Sequence, residues 1–293
     1  MFYTLSLLMG IFISIMIALN GGLTNAYGAY SATVIIHMAG LLVIATVVLL
    51  YKERPFAVRH AWFLYMGGAI GVSVTVFNNL AFGRISVSAI LALGLLGQSV
   101  TSILVDNFGL MGMPVHKFNK GKIWGLLLLL FGIFVMIYAP LDSFEGMAVV
   151  FSFLAGVSII VSRTINAILS KKTSEKVSTL YNYIVGLAVS IIVLLLLGRS
   201  EPMFTNFSLD GNVFIYLGGV IGVVVVLMGN ILAHKISALY LVLFIFIGQV
   251  FAGVIIDIVL VQAFEPRNAI GGVLVATGLC LNLIMGAKSK HAG

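Results

Sequence analysis

FLYMGGAIGVSVTVFNNLAFGRISVSAILALGLLGQSVTSILVDNFG, residues 63–109, returns as FIYLGGVIGVVVVLMGNILAHKISALYLVLFIFIGQVFAGVIIDIVL, residues 214–260, without a gap and at a constant offset of 151. Tyr65 falls on Tyr216, Gly67-Gly68 on Gly218-Gly219, Asn79 on Asn230, Gly97-Gln98 on Gly248-Gln249 and Asp106 on Asp257. A second block repeats at offset 146, with Gly10 on Gly156, Asn20 on Asn166, Thr33 on Thr179 and Gly40-Leu41 on Gly186-Leu187. The chain is therefore written twice, and the repeated material is apolar helix punctuated by glycine and a few amides.

Composition says where such helices live. Hydrophobic residues make up 61% of the 293 and charged residues 9%, with a mean hydropathy of +1.19. A soluble domain of this length needs far more charge to cover its surface. The charges cluster between apolar runs of roughly 20 residues, the length that spans a bilayer core as a helix. Ten such runs are expected, at about 4–24, 31–51, 61–82, 85–107, 121–139, 146–169, 177–198, 211–233, 237–261 and 268–286. The class is an all-α membrane protein of ten transmembrane helices.

Lys and Arg fix the direction of the spans. With the N-terminus in the cytoplasm, the inner loops hold twelve of the sixteen: Lys52 to Arg59, Lys117 to Lys122, Lys171 to Lys176, Lys235, Lys288 and Lys290. The outer loops hold Arg84, Arg199 and Arg267 together with five acidic residues. This asymmetry predicts both termini inside. Five spans per copy is an odd number, so the second copy, 142–293, enters from the side opposite to the first, 1–141. The repeat then becomes an inverted-topology repeat, the architecture of many secondary transporters. A fused pair needs no second chain to complete a path, so a monomer is expected.

The net charge of +7 follows from this loop asymmetry, and no basic stripe with aromatic platforms points to nucleic acid. The single cysteine, Cys280, lies inside the last apolar run, which excludes an internal disulfide and a thiolate metal cluster. No phosphate-binding loop, nucleophile triad or cofactor motif occurs. Met1-Phe2-Tyr3-Thr4 puts no positive charge before the first apolar stretch, so that stretch is expected to stay as a span rather than be cleaved. Asn206-Phe207-Ser208 matches a glycosylation sequon, meaningful only in a eukaryotic secretory setting.

Polar residues inside the spans are the candidates for transport chemistry. Gln98 and Gln249 sit near mid-helix at matched positions. An amide at that depth either lines a central cavity or ties helices together. His37, whose counterpart is Tyr183, is placed to take up and release protons or to hydrogen-bond a neighbouring helix. Arg163 is a full charge well inside a span; it either snorkels to the cytoplasmic surface or faces the cavity to bind an acidic group. Asp106 and Asp257 suit structural anchors, gate latches or proton carriers, and Asn20 and Asn166 suit caps of broken helix ends at the cavity mouth or ties between helices. Gly67-x-x-x-Gly71 and Gly218-x-x-x-Gly222 predict close helix seams.

The run Arg84-Ile85-Ser86-Val87-Ser88-Ala89-Ile90 leading to Gly97-Gln98 and Asp106, then Gly112-Met113-Pro114-Val115-His116 and a final span with Gly125 and Gly132, resembles the drug/metabolite transporter superfamily. The likeness is to its YdcZ-like inner-membrane branch, of DMT or EamA-like fold, with two five-helix units fused. The second copy repeats the pattern through Gly248-Gln249, Asp257, Pro266, Gly271 and Gly278 but shortens the loop before the last span. The resemblance implies an exporter of a small metabolite or amphipathic solute across the cytoplasmic membrane, with protons as a candidate coupling ion. A flippase for a lipid or lipid-linked sugar is the alternative within the class. An intramembrane enzyme or sensor is the alternative outside it, and the scatter of ionisable residues over both faces argues against that one.

Overall fold

The computed structural model describes residues 1–55, 59–110, 122–138, 143–205, 210–232, 235, 238–261 and 266–290. The elements are α1 (Phe2–Tyr27), α2 (Ala29–Leu50), α3 (Gly67–Ala81), α4 (Val87–Phe108), α5 (Lys122–Ile137), α6 (Ser143–Lys172) and α7 (Glu175–Leu197). They continue with a one-turn α8 (Pro202–Thr205), α9 (Leu217–Leu232), α10 (Ala238–Val261) and α11 (Pro266–Lys290). No strand occurs among the described residues. Seven helical stretches are long and apolar enough to cross a membrane, and 123–137 and 244–259 are shorter apolar helices.

Local sequence explains the boundaries. Ser86 caps α4 by accepting a hydrogen bond from the Ala89 amide, and Gly109 closes it in the left-handed region at φ 60. Ser174 caps α7 in the same way through the Val177 amide, and Glu175 adds a carboxylate to its first turn. Gly28 alone links α1 to α2; its φ of 93 favours glycine, and a Cβ there would meet the Glu201 side chain. The expected single spans 61–82 and 211–233 differ from the structure in a matched way. Each begins with a 3-10 turn, Trp62–Tyr65 and Val213–Tyr216, before the α-helix starts. Both changes of winding fall beside the glycine doublets, where Asn166 and Asn20 press against Gly67 and Gly218.

Polar side chains are buried among the aliphatic core, and the outside is strongly apolar. Ser6, Ser14 and Ser31 are fully buried, whereas Leu49 is 76%, Leu196 70% and Phe251 67% exposed. A surface of that kind suits lipid and would be unstable in water.

Packing in one half recurs in the other with the partners exchanged. α1 lies along α10 and α6 along α4; α3 packs on α6 and α9 on α1; α2 meets α9 and α7 meets α3. The closest points match residue for residue. A Cβ at Gly10 would strike the Ile245 carbonyl, and one at Gly156 the Gly94 carbonyl. Gly248 abuts the Leu7 carbonyl as Gly97 abuts that of Phe153. Asn79 and Asn230 donate from Nδ2 to Thr33 and Thr179 Oγ1, each at 3.2 Å. α2 pairs with α7, and α5 with α11 through Gly132 and Gly271.

The seams thus run through Gly10, Gly94, Gly97, Gly156 and Gly248, and the predicted Gly-x-x-x-Gly seams fail at Gly71. Gly67 and Gly218 are tightly packed, but the nearest atoms to a Cβ at Gly71 lie 3.6 Å away. Gly71 faces a cavity instead, whereas a Cβ at Gly222, on the same cavity, would come within 2.7 Å of the Tyr183 hydroxyl.

Candidate functional site: a central cavity between two helix trios

Two trios of mutually packed helices, α1–α2–α9 and α3–α6–α7, face each other. Between them, with α4 and α10 contributing Gln98 and Gln249, lies a cavity of about 190 Å³. The polar side chains reach it because each sits on the inward face of a helix whose outward face is aliphatic.

Gln98, Gln249, Arg163, Tyr183, Asn20, Asn166 and His37 all line this cavity. Residues 229 positions apart in sequence are thus gathered at one place. Asp257 does not line it. Its carboxylate accepts from the Val87 amide at 2.8 Å, the Ser88 amide at 3.1 Å and the Ser88 hydroxyl, sealing the N-terminus of α4. That is anchor geometry, with a carboxylate at the positive end of a helix. The side chain of Asp106 lies outside the described residues, as do the sequon at 206–208 and the run 112–116.

Several of the lining groups have no protein partner. Among the described residues, the Gln98 and Gln249 amides, the Arg163 guanidinium and the Tyr183 hydroxyl carry no hydrogen bond or ion pair, although Gln98 is only 6% and Gln249 4% exposed. His37 Nδ1 donates to the Thr33 carbonyl at 2.8 Å, which leaves Nε2 as an acceptor. Polar groups at this depth that bind nothing in the protein are costly unless water or solute satisfies them.

Four further lining residues, Thr75, Asn78, Ser162 and Asn182, were not singled out from the sequence. Asn166 donates to Asn182 Oδ1 at 2.8 Å and to Ser162 at 3.4 Å, and Ser162 donates to the Gly67 carbonyl at 2.8 Å. These are ordinary polar residues in apolar helices. Their helical spacing, Ser162 and Asn166 on one face and Thr75 with Asn78 on another, was the signal available.

Tyrosines pack at both ends of the bundle, Tyr216 at one and its counterpart Tyr65 at the other. At the α1–α2 turn, Tyr27 and Tyr216 share a hydrogen bond, the Asp210 amide donates to Tyr27 at 2.9 Å, and Glu201 accepts from the Tyr30 and Ser31 amides at 2.9 and 2.8 Å. At the opposite end Tyr65 packs on Tyr181 with ring centroids 4.5 Å apart. There Tyr181 donates to the Pro55 carbonyl at 3.1 Å, and Lys176 pairs with Glu53 at 3.3 Å.

Among proteins of curated function none matches this chain. One solved crystal structure superposes with a TM-score of 0.66 at 16% identity, covering 94% of this chain and 96% of that one. That likeness is one of fold. A family described as "Putative inner membrane exporter, YdcZ" matches twice, over residues 1–135 and again over 147–281. The two matches divide the chain where the internal repeat divides it. With its apolar helices and lipid-suited surface, the chain is a multi-pass inner-membrane protein and belongs to the YdcZ family of exporters, as two fused units of the drug/metabolite transporter type.

Proposed function

We propose that this protein is a secondary transporter that exports a small metabolite or amphipathic solute by alternating access. The observation that carries the reading is the central cavity, with amides, a phenol and a guanidinium turned into it without protein partners. A solute or its water can satisfy those groups, and both repeats contribute them.

In this reading ten helices cross the membrane as a 5+5 inverted-topology repeat, all but the one-turn α8 being spans. The exchanged packing of the halves supports it, as do the lysine-rich loops that put both termini in the cytoplasm. Two trios related by an approximate two-fold have two near-equivalent ways to lean on each other, one open to each side. The tyrosine contacts at the two ends then act as alternating gates. Gln98, Gln249, Arg163, Tyr183, Asn20 and Asn166 contact the solute. His37 is the proton-coupling group nearest the site, and Asp257, with Asp106 at the equivalent place, secures gate geometry.

The test is flux in liposomes containing the purified monomer, screened with amino acids, organic acids, amines and quaternary ammonium compounds. Wild type is expected to exchange at least one class, and Gln98→Ala and Gln249→Ala to lose that exchange while remaining folded. No flux of any class, together with modification of a lipid, would overturn the reading in favour of an enzyme.

A further inference from the structure

The two cavity walls are related by the repeat, yet they differ in chemistry. Where α6 presents Ser162 and Arg163, the equivalent residues of α1 are Met16 and Ile17. Where α7 presents Asn182, α2 presents Ile36; where α3 presents Thr75 and Asn78, α9 presents Val226 and Gly229. All of these line the same cavity. Asn20 records the difference directly. Its counterpart Asn166 donates from Nδ2 to Asn182 and Ser162, whereas Asn20, with Ile36 and Met16 at the equivalent positions, has no such acceptors for its Nδ2, and its buried Oδ1 likewise makes no hydrogen bond.

We infer that the solute is an amphipathic monoanion, its head held by Arg163 on the α3–α6–α7 wall and its apolar body laid against α1–α2–α9. This rests on the transport reading and names the substrate class of the same site. Among the described lining residues no carboxylate faces Arg163 and no Lys or second Arg joins it; His37 is the one imidazole. One permanent cation among uncharged amides and hydroxyls matches one negative charge; with His37 neutral, a dianion would bring a charge left uncompensated. The planar guanidinium can take a carboxylate or sulfonate head in two parallel hydrogen bonds. The Asn182 and Asn78 amides stand on the same wall as further donors. Opposite, Met16 and Ile17 form an adaptable apolar bed.

The experiment is counterflow in proteoliposomes of the full chain. The labelled probes are 1-hexanesulfonate, methanesulfonate, hexyl phosphate and hexyltrimethylammonium; their binding is followed separately by thermal stabilisation in nanodiscs. Wild type is expected to exchange hexanesulfonate, and to favour it at least about tenfold over methanesulfonate, which lacks the tail. It is also expected to favour hexanesulfonate over hexyl phosphate. Arg163→Gln should lower hexanesulfonate exchange at least about tenfold, the loss of a charge-assisted pair. The double change Ile17→Arg with Arg163→Ile moves the cation to the equivalent place on the other wall and should restore part of that exchange. Preference for hexyltrimethylammonium would overturn the inference and leave the transport reading standing. Stabilisation by hexanesulfonate without counterflow would keep the anion site and overturn transport. Neither stabilisation nor counterflow with hexanesulfonate would overturn the inference outright.

Discussion

His37 and Tyr183 hold the same place in the two copies, and their rings meet with centroids 5.8 Å apart. A residue that touches its own repeat counterpart lies on the approximate two-fold that relates the halves. Each ring also fills the space left by a glycine of the other helix, Tyr183 against Gly40 and His37 against Gly186. The centre of the molecule is thus a histidine on one side and a phenol on the other, both lining the cavity.

His37→Gln tests proton coupling at this point. Glutamine can keep a hydrogen bond but cannot carry a proton near neutral pH. The expected outcome is exchange that persists in counterflow but no longer accelerates under an imposed pH gradient. An unchanged response to the gradient would assign His37 to packing alone.

Glycine seams give a sharp stability contrast. Gly156→Ala puts a methyl into the Gly94 carbonyl, backbone against backbone, so relief requires moving α4 from α6. A loss of about 1–3 kcal/mol or more is expected, read as a lower thermal midpoint in detergent. Gly146→Ala, in the same helix with nothing within 4 Å of its Cβ, should instead gain about 0.5–1 kcal/mol.

Asp257→Ala removes the acceptor for two amides and a hydroxyl at the start of α4. The expected cost is about 1–3 kcal/mol, since the orphaned donors stay buried. Asp257→Asn should recover part of it. Loss of flux in Asp257→Asn with unchanged stability would instead point to a charge used in transport.

Orientation is checked with single cysteines in a Cys280→Ser background. Asn212→Cys should react with a membrane-impermeant maleimide on intact cells, and Lys52→Cys only after the cells are opened. The reverse pattern would invert the proposed topology.

Much of this architecture was legible because the chain carries its own alignment. The offsets of 151 and 146 named equivalent residues, and those residues make exchanged contacts. The 3-10 starts of α3 and α9 were not legible, since Trp62–Tyr65 and Val213–Tyr216 are as apolar as the helices they precede and hydropathy does not distinguish helix types. The expected seam fails at Gly71 because spacing places a glycine on a face without saying whether protein or cavity lies beyond it. Among the site residues, Gln98 and Gln249 stood out by their pairing. Asn182, Ser162 and Asn78 did not, because their counterparts Ile36, Met16 and Gly229 erase the repeat signal where the walls diverge.

That divergence depends on covalent linkage. Two identical five-helix chains assembled in opposite orientations about a two-fold would have to present every cavity residue in duplicate. An arginine at the Ile17/Arg163 place would face a second arginine or be absent altogether. Joining the copies freed each wall to drift separately, so a single unmatched charge could persist in the cavity between them. The gene fusion is therefore what allows this cavity a direction of its own, with a solute seated one way round and not the other.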